Sequence, residues 1–127
     1  MKEFHKDGKM NFVDDNNVFV GYDYGQYCCE CAGYLYSKEV PKNTIESIKL
    51  TEKELECFNF VKSFFQKDNT LLMGKETYGM GNGGTATFKL KKGSEVIYLT
   101  LYNCHNGYYG HDFEMKINDK VAKDGCL

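Results

Sequence analysis

The sequence predicts an α+β fold in which an antiparallel sheet carries one main helix on one face. Two observations support this prediction: apolar residues recur at helical spacing after Thr51, and the last third of the chain alternates apolar and polar residues as strands do. The length of 127 residues suits one domain. We therefore expect a single domain over residues 1–127, with the polar residues 1–9 flexible.

The N-terminal part of the chain is expected to form strands. Residues 14–17, with the sequence Asp-Asp-Asn-Asn, are a turn cluster, because Asp and Asn side chains hydrogen-bond to their own backbone. The β-branched and aromatic residues over 18–24 favour a strand. A second strand is predicted over residues 27–36, with a break near Gly33, and Pro41 marks the end of this region.

The main helix is predicted to begin at Thr51. The threonine hydroxyl can accept from the amide of Glu54, and the Glu54 carboxylate can reach back to the amide of Thr51, which is a capping box. The helix is expected to cover the sheet with an apolar stripe and to end near Asp68. That stripe consists of Leu55, Phe58, Val61 and Phe65, widened by Phe60 and Phe64.

The C-terminal third is expected to be a meander of strands. Strands are predicted over residues 70–78, 85–90 and 96–103, and the last of these is apolar on both faces, as in a central strand. The Asn-Gly pair at 106–107 is favoured in tight hairpins, because both turn positions need a positive φ. The return strand over 112–117 alternates apolar and polar residues.

The charge pattern indicates the class of partner. All 16 basic residues are lysines, against 18 acidic residues, and the net charge is -2. Proteins that bind nucleic acid ordinarily show a basic stripe and favour arginine, so we expect no direct nucleic-acid partner. Residues 10–37 hold acids and tyrosines but no lysine, which suits a protein partner with a basic surface. The alternative is that some of these tyrosines belong to the core.

A second part of the predicted binding surface is the hairpin tip over residues 103–112. Rigid aromatic and imidazole side chains around a tight turn bind a partner at low entropic cost. The alternative is packing, with one of two adjacent tyrosines facing inward. The residues expected to contact the partner are Asp14, Asp15, Tyr22, Asp23, Tyr24, Glu30, His105, Tyr108, Tyr109 and His111.

The six cysteines are expected to be reduced thiols of a cytoplasmic protein, because the sequence shows neither a secretory signal nor an apolar run long enough for a membrane span. Cys28-x-x-Cys31 nevertheless has the spacing of zinc ligands. We expect no cofactor. A zinc site is one alternative, and a thiol enzyme with a histidine base is another. The candidate ligands are Cys28, Cys31, Cys104 and His111, with His105 beside them.

Two patches of the sequence resemble a known family. The Cys-Cys-Glu element at 28–30, and the Asn-Gly-Tyr-Tyr element at 106–109 with the strands 85–90 and 96–102 before it, are similar to those of small uncharacterised proteins of bacteria and their phages. The resemblance implies a small intracellular protein that is often encoded by mobile elements. It implies no activity.

These observations together predict a small intracellular binding protein without catalytic activity. As a phage or mobile-element inhibitor, it would bind a bacterial defence effector through its acidic, tyrosine-rich surface, in the manner of an anti-CRISPR protein. The alternative is a zinc- or thiol-dependent enzyme, or a small-ligand-binding protein, and the sequence leaves the oligomeric state open. That alternative would use Cys28, Cys31, Cys104, His105 and His111.

Overall fold

The computed structural model describes residues 1–25, 31–41, 46–68, 82–105 and 110–127. These residues form ten strands and one short helix, α1. The elements in chain order are β1 (Lys2–Lys6), β2 (Lys9–Val13), β3 (Val18–Asp23), β4 (Cys31–Ser37), β5 (Ser47–Ile48), α1 (Glu52–Leu55), β6 (Asn59–Asp68), β7 (Asn82–Lys92), β8 (Glu95–His105), β9 (Asp112–Ile117) and β10 (Lys120–Cys126).

The predicted α+β class is wrong, since the described part of the chain is nearly all β. Strands account for 69% of these residues and helix for 4%, and no helix among them reaches seven residues. The strands form two antiparallel five-stranded sheets. Sheet A has the order β1-β2-β3-β9-β10, and sheet B has the order β5-β4-β8-β7-β6. No helix in the described ranges has the length and apolar character that a membrane crossing requires.

The two sheets share one hydrophobic core between their inner faces. Strand alternation explains its composition, because every second side chain of a strand points to the same face. In sheet A, Phe12 lies opposite Val20, and Val20 lies opposite Met115. Sheet B contributes Phe88, whose ring centroid lies 6.4 Å from that of Phe113 in sheet A. Such edge-to-face ring contacts tie the two sheets together.

The predicted main helix is replaced by the four-residue α1 and strand β6. The capping box is confirmed: Thr51 Oγ1 accepts from the Glu54 amide at 3.2 Å, and Glu54 Oε1 accepts from the Thr51 amide at 3.1 Å. The helix nevertheless ends at Leu55, and Cys57 adopts a φ of 68°. This left-handed conformation cannot continue a right-handed helix, so the chain turns into β6.

The helical spacing of the apolar residues in β6 arises from an irregularity in the strand. Phe60 pairs with Leu90 and Phe65 with Phe88, and the register shifts between these two pairs. A β-bulge adds residues to one strand only and so changes which face the later residues occupy. Both phenylalanines therefore contact the ring of Phe88, although a regular strand would place them on opposite faces.

Several strands agree with their predicted positions. β3 begins at Val18, β8 lies at the centre of sheet B between β4 and β7, and β9 alternates as expected. β4 runs through Gly33 without the predicted break. Residues 1–9, expected to be flexible, contain β1 and the start of β2. The predicted strand over 70–78 and the predicted hairpin turn at 106–107 lie outside the described residues.

Candidate functional site

An open acidic cleft of about 520 Å³ lies on the outer face of sheet A. β9 supplies Asp112 and Glu114 to this face, and β10 supplies Asp124 as the register partner of Glu114. Three carboxylates thus share one concave surface, with Lys9 as the lysine among its lining residues. We call this the acidic cleft, and it is lined by Lys9, Gly21, Asp112, Phe113, Glu114, Asp124, Gly125 and Cys126.

Two glycines line the acidic cleft, but they face opposite sides of sheet A. Gly21 pairs with Glu114 on the outer face, and a Cβ atom at Gly21 would lie 2.9 Å from the tip of the Phe19 ring. Gly125 on β10 differs, because it is the register partner of the buried Phe113 and a Cβ there would lie 3.0 Å from the Phe113 ring on the inner face, so only the backbone of Gly125 lines the cleft. On the outer face, Gly21 therefore has no side chain beside Glu114, and its backbone lines the cleft there.

The charges of the cleft are only partly neutralised by neighbouring residues. Lys116 forms an ion pair with Glu114, with Nζ 3.5 Å from Oε1, and both side chains remain more than a third exposed. Burial, together with the hydrogen bond and charge of Asp112, raises the pKa of the Cys126 thiol, while Lys67 opposes this shift. The thiol is therefore held in its neutral form beside an exposed carboxylate.

Four residues predicted to contact a partner are buried, which corrects that part of the predicted binding surface: Asp14, Tyr22, His105 and His111. Asp14 is 6% exposed, and its carboxylate accepts from the amides of Asn16, Val18 and Phe60, each at 2.9 Å. Tyr22 has no exposed surface and donates its hydroxyl to Tyr102 O at 2.6 Å. Asp14 therefore holds a turn against β6, and Tyr22 joins the two sheets.

The predicted acidic surface over residues 10–37 is also divided between two ends of β3. Asp15 precedes this strand and Asp23 ends it, which separates them by about 17 Å or more at roughly 3.3 Å per residue. Asp23 is the register partner of Lys9 and so lies beside the acidic cleft, whereas Asp15 does not. Glu30, Tyr108 and Tyr109 lie outside the described residues.

The other tyrosines that the structure describes in residues 10–37 form a row of ring contacts, and they are Tyr24, Tyr34 and Tyr36. Tyr24 contacts the rings of His5 and Tyr34, and Tyr34 contacts that of Tyr36, in edge-to-face arrangements with centroids 5.5–6.2 Å apart. The Tyr36 hydroxyl donates to Glu3 Oε2 at 2.5 Å. Burial, followed by the charge of Glu3, raises the pKa of Tyr34 to about 12. The half-buried rings of Tyr24 and Tyr34 thus pack against one another, and Glu3 is the acid that acts on Tyr34.

One of the two histidines predicted at the hairpin tip, His111, is buried between the sheets. His111 has no exposed surface, and its Nδ1 atom contacts Asp23 O. Its backbone pairs with Leu127 through two hydrogen bonds of 2.8 and 2.9 Å, and Asn103 Nδ2 donates to Leu127 O at 3.0 Å. His111 therefore joins β3 to the last residues of the chain instead of facing a partner, which corrects its predicted role in contact.

The structure brings together two of the predicted metal ligands and separates the third. Cys31 and Cys104 are register partners on β4 and β8, and the alternation of β8 puts them on the outer face of sheet B. His111 lies on the opposite side of this sheet, between the two sheets. His105 follows Cys104 on β8 and therefore lies on the same face as Asn103, opposite to the face that carries Cys104. Among the described residues, no group of three metal donors converges, and Cys28 lies outside them.

The residues of the acidic cleft were largely missed by sequence reasoning. The alternation over 112–117 places Asp112 and Glu114 on a polar face, but it does not indicate which residues lie next to them. Lys9 and Asp124 come from opposite ends of the chain and line one cleft only because β2, β3, β9 and β10 follow one another in sheet A. Only the strand order could have joined these residues into one site.

One comparison with known proteins identifies a family. The family described as "Domain of unknown function (DUF7448)" matches residues 2–115. No curated protein and no solved structure matches the chain. The family match ends within β9, so it covers β1 to β8 and the first part of β9 but no part of β10. Asp124, Gly125 and Cys126 of the acidic cleft therefore lie beyond the matched region.

Proposed function

Because the chain belongs to the DUF7448 family, whose description assigns no function, we propose from the surface chemistry that it is a small binding protein that grips a basic segment of a protein partner and performs no chemistry of its own. The acidic cleft on sheet A is the proposed contact site. The single observation that carries the proposal is the presence of Asp112, Glu114 and Asp124 around one open depression of about 520 Å³.

The chemistry of the cleft favours lysine or arginine side chains as its occupants. Long basic side chains can place their charges near the carboxylates while their stems lie along the strand surface between them. Each exposed charge pair contributes only about 0.2–1 kcal/mol, so three carboxylates favour recognition and fast association more than tight binding. Additional contacts with the partner would have to supply the remaining affinity.

The proposed biological setting is the cytoplasm of a bacterium, where the protein acts as a phage or mobile-element inhibitor of a defence effector. The resemblance of the Cys-Cys-Glu and Asn-Gly-Tyr-Tyr elements to those of small bacterial and phage proteins motivates this setting. A defence nuclease has a basic groove for nucleic acid, and an acidic cleft can compete for such a groove, as an anti-CRISPR-like protein would. The proposal includes no direct contact with nucleic acid or membrane.

The test is charge reversal in the cleft. The variant Asp112→Lys/Glu114→Lys/Asp124→Lys is compared with Asp15→Lys/Glu46→Lys/Glu95→Lys, which changes the net charge equally at exposed acids elsewhere. The probe is a lysine- and arginine-rich peptide, whose binding is measured by calorimetry at low and high salt. We expect the cleft variant to lose at least about tenfold in affinity and the control variant to lose much less.

Equal losses in the two variants would show that only net charge matters and would contradict the proposal. The same pair of variants can then be expressed in cells that carry a defence nuclease, where phage plating reports inhibition. The cleft variant is expected to fail to protect the phage, whereas the control variant protects it. Circular dichroism of both variants checks that each is folded.

A second candidate function rests on the pairing of Cys31 with Cys104. Two cysteines supply half of a four-ligand zinc site, and an exposed thiol can also serve in thiol chemistry or hold a small ligand. Elemental analysis of protein purified under reducing conditions tests the zinc version. Zinc near one equivalent would favour this candidate, and a content near zero would reject it.

A further inference from the structure

Cys31 and Cys104 lie directly opposite each other across two antiparallel strands. Cys31 is the first residue of β4, and its register partner on β8 is Cys104. Directly opposed residues in antiparallel pairs have Cβ atoms about 4.5–5.5 Å apart on the same face. A disulfide needs a Cβ separation of about 3.5–4.5 Å. A small shift at the end of β4 therefore brings the two sulfur atoms into bonding range.

The two thiols differ in their accessibility. Cys31 is exposed, whereas Cys104 is 9% exposed. Burial, followed by the nearby Cys31, raises the pKa of the Cys104 thiol. On the other side of Cys104, its register partner on β7 is Gly83, which carries no side chain. An oxidant in solution can thus reach the exposed Cys31 first, and the buried Cys104 is the second thiol to react.

We propose that Cys31 and Cys104 are a redox modification site, in which a small-molecule disulfide such as oxidised glutathione converts the two thiols into a reversible intramolecular disulfide. The Cys31 thiolate attacks one sulfur of the small disulfide, forms a mixed disulfide and releases one small thiol. The Cys104 thiolate then attacks the Cys31 sulfur and releases the second small thiol. The two protein thiols lose two electrons and two protons, which the two released thiols carry away.

The bond would join β4 to β8 at one end of sheet B. In a reducing cytoplasm such disulfides are transient and respond to redox conditions, which agrees with an exposed first thiol. The bond closes a long loop of chain between residues 31 and 104, so the oxidised protein is expected to melt at a temperature several degrees higher than the reduced protein. This inference does not depend on the acidic cleft, which lies on the other sheet.

The experiment exploits Glu30, which separates Cys31 from Cys28 and Cys29. Purified protein is treated with oxidised glutathione, remaining thiols are alkylated, and the chain is cleaved after glutamate. Mass spectrometry then searches for residues 31–39 linked to residues 96–114. We expect this linked pair in the wild type, in Cys57→Ser and in Cys126→Ser, and its loss in Cys31→Ser. Reduction with dithiothreitol is expected to release it.

Three results would overturn the proposal. One is glutathione retained on Cys31 without the link to Cys104, and another is Cys31 linked to Cys28 or Cys29. The third is a zinc content near one equivalent that Cys31→Ser abolishes, which would make the pair a metal site. Cys31→Ser changes an exposed residue and is expected to fold, whereas Cys104→Ala provides a second check at the buried position.

Discussion

At the scale of single residues, Asp14 shows how a side chain can look functional in the sequence and be structural in the fold. An acid in a polar segment suggests an exposed charge, and its neighbour Asp15 is indeed exposed. Asp14 is instead enclosed by three backbone amides from its own turn and from β6. Hydrogen bonds from amides to a carboxylate are stronger than those between neutral groups, so they offset the cost of burying the charge.

Replacing Asp14 is expected to destabilise the protein. In Asp14→Ala, the amides of Asn16, Val18 and Phe60 lose their acceptor, and at least two of them are buried. We expect the free energy of unfolding to fall by about 3 kcal/mol or more, because each unmet buried donor costs about 1–3 kcal/mol. Urea unfolding measures this loss. Asp15→Ala is the control and is expected to change stability by less than about 0.5 kcal/mol. Equal losses of stability in the two variants would contradict the structural role of the Asp14 carboxylate.

At the scale of elements, residues 59–68 explain why the predicted helix is a strand. Local preference favours a helix start at Thr51, and the capping box forms there. Beyond Leu55, pairing with β7 satisfies the backbone of β6, buries Phe60 and packs the partly buried Phe65 against Phe88. Tertiary packing outweighs the weak preferences of individual residues. The bulge then reproduces a spacing that sequence reasoning assigns to a helix.

The pairing of β7 with β8 depends on a glycine at position 83. Gly83 has a φ of 104°, and a Cβ atom there would lie 2.1 Å from Asn103 O. We expect Gly83→Ala to lower the free energy of unfolding by more than about 2 kcal/mol, because backbone strain and a clash with the backbone add together.

The matched control for this glycine is Gly93→Ala in the turn between the same strands. Gly93 also has a positive φ, of 61°, but nothing lies within 4 Å of its Cβ position. Only the cost of the left-handed conformation remains there, about 1–2 kcal/mol. Thermal or urea unfolding compares the two variants. A loss for Gly93→Ala as large as that for Gly83→Ala would show that the contact with Asn103 does not matter.

At the scale of the whole molecule, the two sheets are joined by tyrosines as well as by apolar side chains. Burial is the main cause that raises the pKa of Tyr22, Tyr34, Tyr36 and Tyr102. Each of these hydroxyls is thus held neutral in the folded protein more strongly than in the unfolded chain. The stability that they contribute is fully present below pH 10 and is lost as the pH rises.

The protein is therefore expected to lose stability in alkali. For Tyr34 the window lies between about pH 10, the ordinary pKa, and about pH 12, its value in the fold. Urea midpoints measured from pH 8 to pH 12 are expected to fall across this window. Each midpoint is expressed relative to the value of the same protein at pH 8. On this scale, Tyr34→Phe is expected to show a smaller fall of the urea midpoint than the wild type. A midpoint that stays constant up to pH 12 would contradict these pKa shifts.

The sequence by itself determined the turn at 14–17, the start of α1 at Thr51, the strand character of β8 and the alternation of β9, because each depends on neighbours within a few residues. It could not determine the all-β class, the burial of Asp14, Tyr22 and His111, or the acidic cleft. These depend on which strands become neighbours, as when Lys9 and Asp124 line one cleft on sheet A and Cys31 pairs with Cys104 on sheet B. Strand order is set by the packing of the whole chain, so only the tertiary structure decided it.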